Sequence, residues 1–524
     1  MMKSPQVMLI NRLFPALLIL YSISASANSA VQFSAAIGGE IIKNFNTGQL
    51  KIEKVILEKP HIFNESDLRT LLAKYEGKKI TPKDLKQIQN ALSRRYFDAG
   101  YVNSGVIVPD QVIKDGVIKL KAIHGRLTKI KISGNKEISD QYIHNKLSKG
   151  LAVPLNAAML QKSLIELRQE TLITDVKAHI SPSDKLGQSI MQLQIKERSP
   201  YFVNAEANNH RSTSIGQYGI SLYGGHRNLF GKQDTLQADM TFSEGLKDAG
   251  LDYSLPLTVE SLKISAKFDY TAFTVVDPAF EKINVEGDTV SYGAELSYLK
   301  MKKTQAEVSG RIGLDVKKMT YSISGLSREN FSSPFVIGID TLIKRKKFAA
   351  AAIAEIRRGV MFGLFSEEDE LQQFTTGLGQ LYLAFRPKKR IEWTVRLNGQ
   401  LAADTLPAVE KFAIGGAKSV RGYKENIFVR DSGVTVSTQV KYPVYQSKVF
   451  VAPFMDYGRS WERNSGFWGG NADQALSIGA GVQWNISKKL YSELFWGHAL
   501  LDVDTIDEIQ QDNGFHFLLN YKIH

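Results

Sequence analysis

The sequence predicts a mainly β membrane protein: two tandem small α+β domains followed by a 16-stranded transmembrane antiparallel β-barrel. Three observations carry this. An export leader opens the chain, a strand–helix–helix–strand–strand order occurs twice before residue 200, and the remaining residues alternate between apolar and charged side chains. With 524 residues and no cysteine, the chain is long enough for several domains and has no means of thiolate catalysis or Cys-type metal binding.

The leader is "MMKSPQVMLINRLFPALLILYSISASANSA", in which Lys3 and Arg12 precede an apolar run from Leu13 to Tyr21 and then small residues. That run is too short to cross a hydrocarbon layer, which needs about 20 residues, so residues 1–27 read as a signal peptide cleaved after Ala25-Ser26-Ala27. Residues 28–50 are too few to form a domain and hold at most a brief helix around Ile37 to Phe45. No later stretch is apolar for long enough to make a membrane helix.

From Lys51 the pattern becomes mixed. "KIEKVILEK" alternates as a strand; Asn64 is placed to cap "ESDLRTLLAKYEG", and Gly77 to stop it. Thr81 and Pro82 then open a helix whose Leu85, Ile88, Leu92 and Tyr96 share one face. The strands "SGVIVPDQVI" and "GVIKLKAIHG" complete the domain at 51–125. The same order restarts at Arg126 with "LTKIKISGN", "SDQYIHNKLS", "NAAMLQKSLIELRQE", "TDVKAHISPS" and "SIMQLQIKE", giving a second domain at 126–199.

Beyond residue 200 the period is two. "LKISAKFDYTAF" places Leu262, Ile264, Ala266, Phe268 and Tyr270 opposite Lys263, Ser265, Lys267 and Asp269, and "AEVSGRIGLDVKK" and "IEWTVRLNGQL" repeat the arrangement. A soluble sandwich also alternates. The leader, the aromatic content and the length favour a barrel with lipid outside and a wet lumen, and at roughly 20 residues per strand and turn the segment makes about 16 strands. "NGFHFLLNYKIH" reads as the closing strand, with Phe515, Phe517, Leu519, Tyr521 and Ile523 on one face.

Charge is unevenly placed within a net +13: residues 51–200 hold 26 lysines and arginines against 16 acids, whereas 201–524 hold 37 against 36. The basic module could meet an acidic protein or a phosphate surface, and nucleic acid is not expected for an exported chain. The nine histidines form no H-E-x-x-H pattern, and no phosphate-loop motif is present, so neither enzyme activity, cofactor nor metal is expected. "GGHRNLFGKQD" (Gly224 to Asp234) reads as a turn, "KRKK" (Lys344 to Lys347) as a solvated strand end, and Trp393, Trp484 and Trp496 as lipid-interface anchors.

Three stretches carry a family resemblance: "YFDAGYVNSGVIVPDQVIKDGVIKLKAIHG" (Tyr96 to Gly125), Gly134-Asn135, and "FAIGGAKSVRGY" (Phe412 to Tyr423). Over about residues 50–524 the chain resembles the outer-membrane transporters of two-partner secretion (TpsB), the ShlB/FhaC/HecB-type haemolysin secretion/activation family. The resemblance implies two periplasmic POTRA domains before a 16-stranded barrel. It also implies export, without ATP, of a large β-helical exoprotein (haemolysin, adhesin or contact-dependent inhibition toxin) that docks on the POTRA domains. The partners implied are a TpsA-type exoprotein, outer-membrane lipid and the barrel assembly machinery, with the transporter a monomer. Barrel assembly factors share the VRGY-like loop but usually carry more POTRA domains, and such a factor is the alternative reading. The 28–50 segment is shorter than the plug helix and linker common in the family.

The resemblance further implies that Val420, Arg421, Gly422 and Tyr423 lie at the tip of a loop folded into the lumen, with Arg421 meeting the aspartate of an F-x-D-x-G strand, here Phe454, Asp456 and Gly458. Independently, period two sets these three on one face and Val451, Pro453, Met455 and Tyr457 on the other. A carboxylate facing lipid is costly, so Asp456 is expected to face inward. Gly422 would permit a tight turn, and Gly415 and Gly416 a close passage of the loop base along the wall.

Overall fold

The structure is a computed structural model that describes residues 48–524 apart from 258–260, 278–283, 304, 363–371, 389, 447, 465–471 and 504–512. The expected signal peptide and nearly all of the 28–50 segment therefore lie outside the described residues. The chain divides into two compact units at Pro200.

The first domain of the N-terminal unit runs β1 (Leu50–Ile52), β2 (Lys54–Glu58), α1 (Glu65–Leu72), β3 (Lys78–Ile80), α2 (Pro82–Asp98), β4 (Gly105–Ile107) and β5 (Val117–Ile123). Asn64 caps α1 by accepting from Ser66 N, and Thr81 and Asp84 cap α2 reciprocally. Hydrogen bonds from the Thr81 amide and hydroxyl hold the Asp84 carboxyl below the usual carboxylate range. Leu85, Ile88, Leu92 and Tyr96 then point one fully buried stripe at Ile118 and Leu120 of the β2-β5-β4 sheet. The strand expected over "SGVIVPDQVI" ends at Ile107. Pro109 has no amide to give the ladder, and the Gln111 side chain takes over, bonding the Lys119 amide and carbonyl at 2.8 and 2.6 Å.

The second domain repeats the order with β6 (Arg126–Ser133), α3 (Asp140–Leu147), α4 (Ala157–Arg168), β7 (Ile173–Pro182) and β8 (Gln188–Glu197). Its sheet order is β6-β8-β7, with β6 and β8 parallel, and Leu160, Leu167, Met191 and Leu193 fill the core. Almost no linker separates the two domains. Asn156 caps α4 with its Oδ1 while its Nδ2 donates to Ala99 O, and the amides of Leu155 and Ala157 donate to Gly125 O and Gly100 O.

The second unit is a closed antiparallel barrel of 16 strands. Its first eight are β9 (Tyr201–Asn208), β10 (Gly219–His226), β11 (Thr235–Ser243), β12 (Leu246–Pro256), β13 (Leu262–Thr274), β14 (Val285–Lys303), β15 (Ala306–Ile323) and β16 (Leu326–Lys344). The next three are β17 (Phe348–Phe362), β18 (Gln372–Phe385) and β19 (Glu392–Ala402). A short hairpin off the wall, β20 (Phe412–Ile414) with β21 (Phe428–Arg430), precedes the last five: β22 (Ser432–Tyr445), β23 (Val449–Trp461), β24 (Asp473–Asn485), β25 (Leu490–Ala499) and β26 (Phe515–Lys522). β26 pairs with β9 to close the sheet, so no wall strand keeps an open edge.

The alternation sets the faces. Ile264, Phe268 and Tyr270 of β13 and Ile312 and Leu314 of β15 are exposed on the outside, while Lys267 and Asp315, from the complementary faces of the same strands, pair at 2.9 Å inside. "GGHRNLFGKQD" ends β10 and turns through 227–234, where Asp234 accepts from Phe230 N and Asn228 from Gln233 N. "KRKK" ends β16 and forms the turn into β17.

Candidate functional site: the inward loop and its two anchors

Residues 403–431 join adjacent wall strands β19 and β22 but fold back against the inner wall instead of making a short turn. The tip carries the VRGY stretch. Arg421 is 2% exposed and Asp456, on β23, is completely buried. The guanidinium grips the carboxylate side-on, Nε to Oδ2 at 2.7 Å and Nη2 to Oδ1 at 2.8 Å, and the Arg421 amide adds a third bond to Oδ2 at 3.1 Å. The remaining donors reach β22: Nη1 donates to Gln439 Oε1 at 2.7 Å and Nη2 to Ser437 Oγ at 3.2 Å.

Two aromatic rings complete the socket, with the guanidinium carbon 3.5 Å from the Phe454 ring centre and 4.8 Å from that of Phe495 on β25. A planar, delocalised cation places four side-chain hydrogen bonds and stacks on a ring at once; an ammonium does neither in this geometry. The structure thus brings Arg421, Phe454 and Asp456 together on one inward face while Met455, between them, is 47% exposed on the outside.

The other tip residues spread the contact over the last strands. Val420 is buried against Gly458, where a Cβ would lie 2.9 Å from its Cγ2 and 2.7 Å from that of Ile414. Gly422 has φ +94° and its amide donates to His516 Nε2 on β26; a Cβ there would meet the Gly497 backbone at 3.0 Å. The Tyr423 hydroxyl sits between β24 and the chain after β25, 2.8 Å from Leu501 O and 3.0 Å from Leu476 O, and accepts from both of those residues' amides. Five strands, β22 to β26, therefore share the tip.

Gly415 and Gly416 differ from the expectation. Both have positive φ, +107° and +93°, but the close approach they permit is to the returning limb of their own loop and not to the wall: Cβ atoms would fall 2.3 Å from Lys424 O and 2.0 Å from the Glu425 carboxyl carbon. The loop doubles back tightly, and Glu425 accepts from Ala417 N at 2.7 Å across the two limbs.

A second anchor lies at the loop base. Glu410, 2% exposed in a short turn of 3-10 helix at Ala408–Glu410, accepts from Lys317 Nζ on β15 and Ser332 Oγ on β16, each at 2.7 Å, with Arg357 Nε of β17 at 3.8 Å. Those cations belong to a wall network in which Arg357 pairs with Asp315 at 2.8 Å and Arg311 with Glu295, Asp340 and Glu355. Gln400 of β19 ties the two ends of the loop together, its Nε2 donating to Glu410 O at 2.8 Å and to Asp431 O at 2.9 Å.

Sequence reasoning passed over Glu410, Gln439, Ser437, Phe495 and His516. Phe495 had a usable signal, since it stands on the inward register of β25 between outward Leu494 and Trp496. Among the described residues no cluster of three or more metal-ligating side chains occurs, and no helix is long and apolar enough to cross a membrane.

The chain is 24% identical to the heme/hemopexin transporter protein HuxB of Haemophilus influenzae over 447 residues, covering 79% of this chain and 77% of the relative. It is 22% identical to the hemolysin transporter protein HpmB of Proteus mirabilis, covering 83% and 80%. The solved structure of CdiB from Escherichia coli superposes with a TM-score of 0.62 at 16% identity, covering 91% of both chains, and so shares the fold. Residues 50–125 match the ShlB-type POTRA domain. POTRA domains of this type lie in the periplasm, and the barrel spans the outer membrane. Residues 187–484 match the haemolysin secretion/activation protein family ShlB/FhaC/HecB, and the chain belongs to that family of outer-membrane, two-partner secretion transporters.

Proposed function

We infer that the chain exports one large cognate exoprotein of the TpsA type through its lumen as an extended chain, without nucleotide hydrolysis, and that the Arg421–Asp456 contact holds the inward loop in its working position. The observation that carries this is the fully buried, bidentate pair between a loop tip and a transmembrane wall, in a family of secretion transporters. A desolvated ion pair with this many satisfied donors fixes one loop geometry, because either partner left alone is an uncompensated buried charge.

Cargo docks on the POTRA unit by adding a strand to a sheet edge. The edges of the three-stranded sheets are β2 and β4 in the first domain and β6 and β7 in the second. The cargo is a haemolysin, adhesin or contact-dependent inhibition toxin; the signal peptide is removed; and the barrel works as a monomer inserted by the barrel assembly machinery. Export is measured as surface and medium levels of the exoprotein co-expressed from a neighbouring reading frame. Arg421→Ala and Asp456→Ala each lose most of it while the barrel stays inserted and heat-modifiable. Normal export by either variant removes the loop from the mechanism, and a general loss of other outer-membrane barrels on depletion would identify an assembly factor instead.

A further inference from the structure

Along one arc of the barrel, the turns at the periplasmic end are uniformly basic. Counting strands from β9, which follows the periplasmic domains, the turns after β16, β18, β22 and β24 all lie at the periplasmic end and are neighbours around the wall. Segments 345–347, 386–391, 446–448 and 486–489 hold ten lysines and arginines and no carboxylate. At the other ends of these strands, segments 363–371 and 500–514 hold nine carboxylates and no lysine or arginine, while 403–431 and 462–472 hold both signs. Ordinary solvated turns give no reason for such a division.

The basic turns alternate with aromatic residues on the outer surface. Phe348 directly follows Lys347, and its ring lies 5.1 Å from Phe385, which precedes Arg386; Phe385 in turn lies 5.5 Å from Trp393. Further around, Tyr445 and Trp484 are 58% and 47% exposed just ahead of Lys448 and Lys488. Rings facing lipid at this height mark the headgroup layer, and long basic side chains beside them lay their stems on the apolar band and present their charge at phosphate level. Arg345, Lys346, Lys347, Lys388, Lys448 and Lys488 are all exposed. Nearby, Arg386 pairs with Glu392 and Lys489 donates to Ile523 O, so part of the belt is spent on the protein itself.

We propose that this arc is a binding belt for anionic phospholipid headgroups of the periplasmic leaflet, recognised by charge-assisted hydrogen bonds to the phosphodiester. A protein partner would not need the cations placed at the same level as lipid-facing rings. The belt would hold the barrel at a fixed depth in the membrane.

The test uses the full chain reconstituted in vesicles of equal parts phosphatidylglycerol and phosphatidylcholine, extracted into mild detergent, with retained lipid identified by native mass spectrometry. Wild type retains phosphatidylglycerol in clear excess, and added salt lowers the excess. The quadruple variant Arg345→Gln, Lys346→Gln, Lys347→Gln, Lys388→Gln brings the ratio close to parity, since one cation near an anionic surface changes affinity about fivefold. A control neutralising four exposed POTRA lysines, Lys74, Lys83, Lys86 and Lys121, to Gln leaves the ratio as in wild type. Parity in wild type, equal loss in the control, or an unchanged ratio in the quadruple variant overturns the proposal. If the quadruple variant keeps its phosphatidylglycerol but no longer exports, the arc is a protein surface and the proposal also fails.

Discussion

The two anchors of the inward loop solve the same problem in different ways. At the tip Arg421 grips Asp456 directly, both buried, with Arg396 of β19 within electrostatic range of both. At the base Glu410 joins a wall network in which Lys317, Arg357 and Arg311 are shared among Glu410, Asp315, Glu295, Asp340 and Glu355. A single bidentate grip has no substitute of the same geometry, whereas a network redistributes its charge when one member is lost. The tip therefore sets the loop's position, and the base limits how far its root can move.

The sharpest way to break this contrast is at the tip. Arg421→Ala or Asp456→Ala leaves a buried charge unpaired at a cost of about 3–5 kcal/mol, enough to release the tip. Export should fall to a small residue, measured as surface exoprotein, and a protease site inserted beside Lys424 should become cleavable from outside. Arg421→Lys keeps the charge but loses the bidentate grip and the ring stacking, so export should stay well below wild type. Near-normal export by the lysine variant would show that charge alone suffices.

Smaller effects should follow at the edges of the socket and at the base. Gly422→Ala meets both a positive φ and the Gly497 backbone, and should cost about 1–3 kcal/mol, read as a lower heat-modification temperature with reduced export. Glu410→Gln keeps the shape and the Ser332 contact while removing one charge from a shared network. It should lower export only mildly and raise the single-channel current noise in planar bilayers, as a looser loop root predicts. Tyr423→Phe removes one hydroxyl worth about 1 kcal/mol and should have the least effect on export.

What was legible in the sequence follows the range of each interaction. The faces of β13, β15 and β23 were readable because they depend on a two-residue period, and the caps Asn64 and Thr81 because a cap acts within three residues. Asp456 was readable as inward for the same reason. Its contact with Arg421 had no local signature and entered only through resemblance to a family. Glu410 was invisible: its partners lie 93 and 78 residues away in sequence, and a glutamate beside a lysine in a loop looks solvated until the wall strands are assembled. Gly415 and Gly416 were recognisable as sites of close approach, but what they approach is set by the doubling of the loop, which no linear pattern encodes.

The central claim is that the Arg421–Asp456 pair holds the loop in its exporting position, and exchanging the two charges tests it most directly. Export of the cognate exoprotein should be abolished by Arg421→Asp alone and by Asp456→Arg alone, and partly restored in the double variant, with all three barrels inserted. Full export by either single variant, or a double variant no better than the singles with its barrel intact, would contradict the account.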